Sequence, residues 1–239
     1  MKKIVASVLG FCLCTMAFSQ TNPDWKKKKL DRAADHLMVQ FTVDSWGGAP
    51  DSIKNRMGGL SRGAGISFML DKPFKSDPRW SIAFGLGINA SNIFFKKTSV
   101  DVKSNSIKLP FRNLDTLDHF KKYKLVTTFV EVPIELRYIF NPEKEDKSLK
   151  VAIGAKIGLL LDAHTKGKTL QNRSGTTINS YKLKEKENTF FNSSRIVATA
   201  RVGLGHFSLV ANYQITALIK DVAGPSIRPY QIGLCISGL

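Results

Sequence analysis

The residues best suited to do chemistry in this sequence are charged groups set at even spacings. Glu131, Glu135 and Arg137 are followed by Lys150 and Lys156 in the next segment, and Arg201 stands in a later segment of the same texture. In a β-strand every second side chain points to the same face, so each set would project from one side of a sheet. Neighbouring strands would then bring opposite charges face to face. A catalytic carboxylate or a polar conduit needs such an arrangement. So does a network of ion pairs filling a narrow barrel, because charges removed from water persist only when paired and hydrogen-bonded. The network is the expectation: Glu131, Glu135, Arg137, Lys150, Lys156 and Arg201 are read as structural residues of a lumen.

The histidines are His36, His119, His164 and His206. Asp118 adjoins His119 and Asp162 lies just before His164, which offers a base beside a group that could orient it. A lipase, deacylase or protease on a small barrel would use such a pair together with a nucleophile near the outer rim. A histidine close to an aspartate in a loop is common, however, no Gly-x-Ser-x-Gly elbow is expected, and no Cys/His/Asp cluster has metal-ligand spacing. No catalytic residue, metal or cofactor is expected.

The elements that would position these groups are strands of about ten residues, apolar on one face and small or polar on the other. The clearest sets Trp80, Ile82, Phe84, Leu86, Ile88 and Ala90 against Ser81, Ala83, Gly85, Gly87, Asn89 and Ser91. Similar alternation covers 36–46, 61–70, 123–139, 149–162, 196–204, 207–215 and the stretch from Arg228 to the C-terminus, giving eight strands. In 149–162 the charges Lys150, Lys156 and Asp162 all fall with the glycines. Short turns at 71–78, 141–147 and 205–206 alternate with long loops at 47–60, 93–122, 163–194 and 216–226, the pattern of a small outer-membrane barrel with short periplasmic turns. His36 and His206 would lie at the periplasmic end, His119 and His164 in outer loops. A soluble β-sandwich or lipocalin-like barrel also alternates, but it would need the bulky apolar face to fill its lumen. Repeated inward glycines fit a narrow eight-stranded lumen instead, and a charge on the lipid side costs roughly 2 to 4 kcal/mol near the midplane. The predicted fold is therefore all-β, an eight-stranded antiparallel up-and-down transmembrane barrel.

The N-terminus carries Lys2 and Lys3, an apolar stretch from Ile4 to Phe18, and the small residues Ala17 and Ser19 before Gln20. That is the pattern of a signal peptide over 1–19, followed by a periplasmic arm over 20–35 with the barrel over 36–239. Cys12 and Cys14 fall in the signal without a lipobox, so a lipoprotein is not expected. Only Cys235 would remain, and no intramolecular disulfide can form. No apolar run approaches the roughly 20 residues of a spanning helix. The formal charge of +17 would suggest nucleic acid for a cytosolic chain, but export argues against that partner. Basic residues gather in the long loops, with Lys96, Lys97, Lys103, Lys108, Arg112, Lys121 and Lys122 in one and Lys166, Lys168, Arg173, Lys182, Lys184 and Lys186 in another. They could meet outer-membrane lipids and lipopolysaccharide phosphates, at about 1 kcal/mol per lysine. Phe94, Phe95, Phe111 and Phe120 in the first of these loops could anchor a protein partner.

The segment Phe129-Val130-Glu131-Val132-Pro133-Ile134-Glu135-Leu136-Arg137-Tyr138 resembles the signature strand of the PorT-like outer-membrane β-barrel family of Bacteroidetes, matched at Glu131 and Pro133. The resemblance implies the barrel fold along the mature chain and little about activity. The functional expectation is a non-enzymatic barrel that serves as a structural or accessory subunit of a cell-envelope assembly or secretion complex. Two alternatives stay open: a surface barrel holding lipopolysaccharide or another ligand on basic loops, and a lipid-modifying enzyme.

Overall fold

The computed structural model describes residues 37–58, 60–144 and 147–238. The expected signal peptide, the arm over 20–35 and His36 lie outside the described residues. The strands are β1 (Leu37–Gly47), β2 (Arg62–Pro73), β3 (Trp80–Phe95), β4 (Thr98–Val100), β5 (Phe111–Asn113), β6 (His119–Ile139), β7 (Leu149–Gln171), β8 (Thr177–Lys186), β9 (Ser194–Leu204), β10 (Phe207–Gln214) and β11 (Arg228–Ser237), with one short helix, α1 (Asp51–Lys54), between β1 and β2. Eight of them, β1, β2, β3, β6, β7, β9, β10 and β11, pair antiparallel in a ring. Pairing of β1 with β11, from Met38 opposite Ser237 to Gly47 opposite Arg228, closes it. Closure satisfies the backbone polar groups of both would-be edges, which an open sheet in lipid could not do.

The alternation lays an apolar belt on the outer wall. Phe41, Phe68, Leu86, Ile153, Leu209 and Ile232 are among its exposed side chains. On β3 the belt runs from Trp80 to Ala90, ten steps that rise about 25 Å at ~3.3 Å each along a strand tilted ~40°, close to the height of an outer-membrane apolar band. Aromatic rings mark both rims. Trp80, Tyr138 and Phe140 make tilted and edge-to-face contacts in series at the end with the short turns, with centroids 4.8 and 5.0 Å apart, and Tyr213 faces Tyr230 across β10 and β11 at the other end.

Inward positions are small wherever strands crowd. A Cβ on Gly154 would stand 2.1 Å from the carbonyl oxygen of Ile134 on the adjacent strand, so only glycine fits. Pro133 also points inward. The β3–β6 ladder is interrupted beside it, passing from Phe84–Ile134 to Gly87–Glu131 without a change of register, as expected where a residue has no N–H to donate.

Two expectations about the long loops and one about a strand face need correction. The segment 163–194 is not all loop, because β7 continues to Gln171 and pairs with β8 as a hairpin above the belt. Here Lys and Thr alternate with water available to the outer face, so no apolar period signals the strand. Within 93–122, likewise, β3 extends to Phe95, β4 pairs with β5, and β6 begins at His119. Asp162 is also not on the lumen face. The register shifts so that Thr128 faces Asp162 while Phe129 faces Leu160, which leaves Leu161 as the extra residue of a bulge and exchanges inside for outside beyond it. Asp162 thus shares an outer face with His164, while Ala163 and Thr165 turn inward and are buried.

The outer mouth is filled by a second core. Trp46, Ile93, Phe95, Leu125 and Phe129 at the strand ends pack with Ile53 of the first loop, Val100 of the second, Phe191 of the third and Ile219 of the fourth. Loop-to-loop bonds fix it: the Leu109 amide donates to the Ala223 carbonyl at 2.8 Å, and the Lys220 amide to the Phe190 carbonyl at 3.0 Å. Most of the rings expected to offer a partner anchor are committed to this cap, with Phe95 buried and Phe111 and Phe120 packed against it. Arg56 of the first loop and Asp115 of the second form a bidentate ion pair at 3.1 and 2.6 Å.

Two outcomes follow from this packing. Replacing Gly154 with Val forces a methyl-bearing carbon into the Ile134 carbonyl, so the barrel should lose about 1 to 3 kcal/mol of stability, read as a lower transition temperature of the heat-modifiable gel band. The Arg56 hydrogen bond holds the Asp115 carboxyl down at about 2, from an ordinary 3.8. A depressed carboxyl stabilises the fold above its unfolded value and loses that contribution as pH falls through its folded one. Spin labels at Ser52 and Thr116 should therefore report a fixed distance at pH 7 that broadens only as pH approaches about 2, and Asp115→Asn should broaden it at pH 7.

Candidate functional site

The strands bring most of the expected lumen residues together. Glu135, 1% exposed, accepts at one oxygen from Arg137 Nε and from Arg201 Nη2, each at 2.9 Å. Pro133 lies opposite Lys156, so the diagonal neighbours Glu131 and Glu135 flank the ammonium, and Lys156 donates to Gln40 Oε1 at 3.2 Å. Lys150 is not drawn in. It sits half-buried beside the short turn and forms no ion pair among the described residues, because at the rim water can solvate it.

Several partners were missed by sequence reasoning. Arg195 donates to Glu131 Oε1 through Nε at 3.0 Å and Nη2 at 2.6 Å, and its guanidinium lies 3.8 Å from the centre of the Phe129 ring, at the base of the cap. Arg195 has the parity of Arg201, and extending the alternation below Ile196 would have found it. Asp44 accepts from Thr42 at 2.6 Å, from Gln231 at 2.9 Å and from Ser91. Asp71 lies 3.7 Å from Arg137. Arg137, Lys156, Arg195 and Arg201 thus share the interior with Asp44, Asp71, Glu131 and Glu135, a column of four cations against four carboxylates. Level with its Glu135 and Arg201, Met38, Met69, Ala83, Val210 and Cys235 form an apolar cluster.

The histidines do not converge. His119 faces Gln171 and His164 faces Val126 on the same strand pair, seven positions or roughly 23 Å apart. His119 Nδ1 lies 3.2 Å from the Leu117 carbonyl, His164 bonds Asp162, and His206 Nδ1 lies 2.9 Å from the Ser237 carbonyl. Against the expectation that no such spacing is present, Gly59-Leu60-Ser61-Arg62-Gly63 does fit Gly-x-Ser-x-Gly. A nucleophile elbow joins a strand to a helix and exposes its serine. Ser61 instead precedes a strand, is buried, and its hydroxyl accepts from the Phe94 amide at 3.1 Å. Among the described residues no three His, Cys, Asp or Glu side chains group as metal ligands.

A second feature stands outside. In the sheet that β6, β7 and β8 raise above the belt, Lys122 faces Lys168, which faces Lys182, and Lys124 faces Lys166, which faces Lys184. Directly opposed residues share a face, so six lysines form two rows of three. None of the six pairs with a carboxylate among the described residues; Lys124 donates to Asn92 Oδ1 at 2.6 Å. Like charges set opposite each other destabilise a sheet, so this face carries an unmet electrostatic demand.

The lumen column responds to mutation in a way that separates it from the rim. Glu135→Ala strands two guanidiniums without their shared carboxylate and should cost about 3 to 5 kcal/mol, whereas Lys150→Ala should stay within about 0.5 kcal/mol. Urea unfolding in detergent micelles measures both.

A sequence model described as the outer membrane protein beta-barrel domain matches residues 34–216. No curated protein matches the chain. Two solved structures of Ail, the attachment invasion locus protein of Yersinia pestis, are similar to it. The one in complex with the heparin analogue sucrose octasulfate is 12% identical over 84% of this chain and 96% of its own, with a TM-score of 0.36. The other is 12% identical over 84% and 95%, with a TM-score of 0.31. The family match spans most of the chain: the protein belongs to the outer membrane protein β-barrel family and resides in the outer membrane.

Proposed function

We propose that the protein is a non-enzymatic surface barrel that holds a polyanionic ligand on its outer wall. The two lysine rows on β6, β7 and β8 carry this reading. They set six cations on one face with no protein carboxylate to answer them, and a ligand rich in phosphate or sulfate would answer them. The closed architecture agrees. Paired charges occupy the lumen and a packed core fills its outer mouth, so the surface left to meet a ligand is the outside. Among the described residues, the separated histidines and the buried Ser61 give a lipid-modifying enzyme no assembled nucleophile and base. The test is retention of the purified barrel on immobilised polyphosphate. Retention should fall steeply as salt is raised and should be lost in Lys166→Gln/Lys168→Gln; salt-independent retention, or full retention by the variant, would refute it.

An accessory role in a cell-envelope assembly or secretion complex is a second reading. The PorT-like strand around Glu131 and Pro133 favours it, with the PorT-like family as the finer assignment. Gentle detergent extraction of tagged protein from its native membrane should then return defined partners at fixed stoichiometry, and recovery of the barrel with lipid alone would count against it.

A further inference from the structure

Building on the surface-barrel reading, we propose that Lys122, Lys124, Lys166, Lys168, Lys182 and Lys184 form a side-on site for lipopolysaccharide of the surrounding leaflet. The lysines take its phosphates, and the apolar wall lower on the same face takes its acyl chains.

Orientation is the first argument. On β6 the lysines have the even parity of Val132 and Ile134, which are exposed on the belt, so they stand on the same membrane-facing wall and not at the tip of the loops. On β7 the bulge at Leu161 brings Lys166 and Lys168 to that wall above the exposed Leu159 and Leu161. Between belt and lysines the face carries Thr128, His164 and Asp162, whose carboxylate is already held by His164 and by Lys186 at 2.9 Å. It therefore passes from apolar below to cationic above and suits an amphiphile with charged groups at its head better than a soluble polyanion.

Height is the second. Lys124 is level with Phe94, four residues beyond the belt's last position at Ala90, or about 10 Å above it along a tilted strand. The next row stands about 5 Å higher by the same rise. Phosphates bound to the sugars at the head of the lipid lie in that layer, just outside the acyl chains.

Spacing is the third. Adjacent strands bring the lysines of one row to about 4.8 Å from each other and the rows lie about 7 Å apart, so a single phosphate can reach two or three ammonium groups. Lysine suits such a shared, mobile contact, since it presents a point charge on a flexible stem. Lysines also blunt exposed sheet edges, which would account for Lys182 and Lys184 on the edge strand β8. It does not account for Lys124, Lys166 and Lys168, which lie where β6 and β7 are paired on either side.

The experiment measures binding to the purified full barrel in detergent with three probes: phosphorylated lipid A, the same lipid A after enzymatic dephosphorylation, and inorganic polyphosphate. Removal of the phosphates should weaken lipid A binding to the wild type about a hundredfold, and Lys124→Gln/Lys166→Gln/Lys184→Gln should match that loss for intact lipid A, by the usual gain per lysine at an anionic surface. Lys96→Gln/Lys103→Gln/Lys108→Gln, which removes the same charge from another loop, should bind as the wild type does. Equal affinity for both lipids, or an equal loss in the two triple variants, overturns the site. The wild-type comparison needs no variant to fold. Polyphosphate separates the levels: salt-sensitive polyphosphate binding with indifference to lipid phosphates sinks the lipid site and leaves the surface-barrel reading, while failure to bind either probe sinks both.

Discussion

In hydrocarbon no water is available to a backbone amide or carbonyl, so every strand needs a hydrogen-bonded neighbour on each side. The β1–β11 pairing meets that demand, and much else follows from it. A ring of eight strands encloses a lumen only wide enough for side chains, which is why glycine recurs on the inner face and a Cβ at Gly154 would strike the next strand. It also leaves the charged interior groups nowhere to go for solvation except one another.

The interior answers that confinement by balance. Glu135 is shared by Arg137 and Arg201, Glu131 is held by Arg195, and Asp44 is satisfied by uncharged donors. Pairs of this kind add little net stability over a well-packed apolar core, but breaking one is expensive, so the column acts chiefly to fix which residues may coexist inside. Above it the medium changes. The cap is an ordinary apolar core assembled from four loops, and Arg195 stacked on Phe129 is the joint between the two regimes. The outer sheet is a third environment, where lysines oppose lysines because water and counter-ions can screen them.

Legibility in the sequence tracked these environments. Inside the belt one face meets lipid and the other a crowded lumen, so the period of two is strong, and the ring, its strand order and the inward Glu131, Glu135, Arg137, Lys156 and Arg201 could be read from spacing alone. Above the belt the contrast fades. Residues 163–171 alternate lysine, threonine and histidine with no apolar face, so a paired strand looked like loop. Arg195 was lost at an element boundary. The cap was illegible for another reason: Val100, Phe191 and Ile219 come from different loops, and no local pattern announces that they meet. Loop phenylalanines then look like bait for a partner when they are core.

The bulge at Leu161 shows how much one residue decides. Below it the even positions of β7, Lys156 and Gly158, face the lumen; above it the even positions His164, Lys166 and Lys168 face out. Without the extra residue, Lys166 and Lys168 would point into the apolar cap, where an unpaired ammonium is untenable, and Ala163 and Thr165 would be turned out of it. The same shift aligns Lys166 with Lys124 and with Lys184. A single register change therefore lets one continuous strand serve two opposite demands: paired charge inside the membrane, where water is absent, and clustered like charge outside it, where an anion can be met.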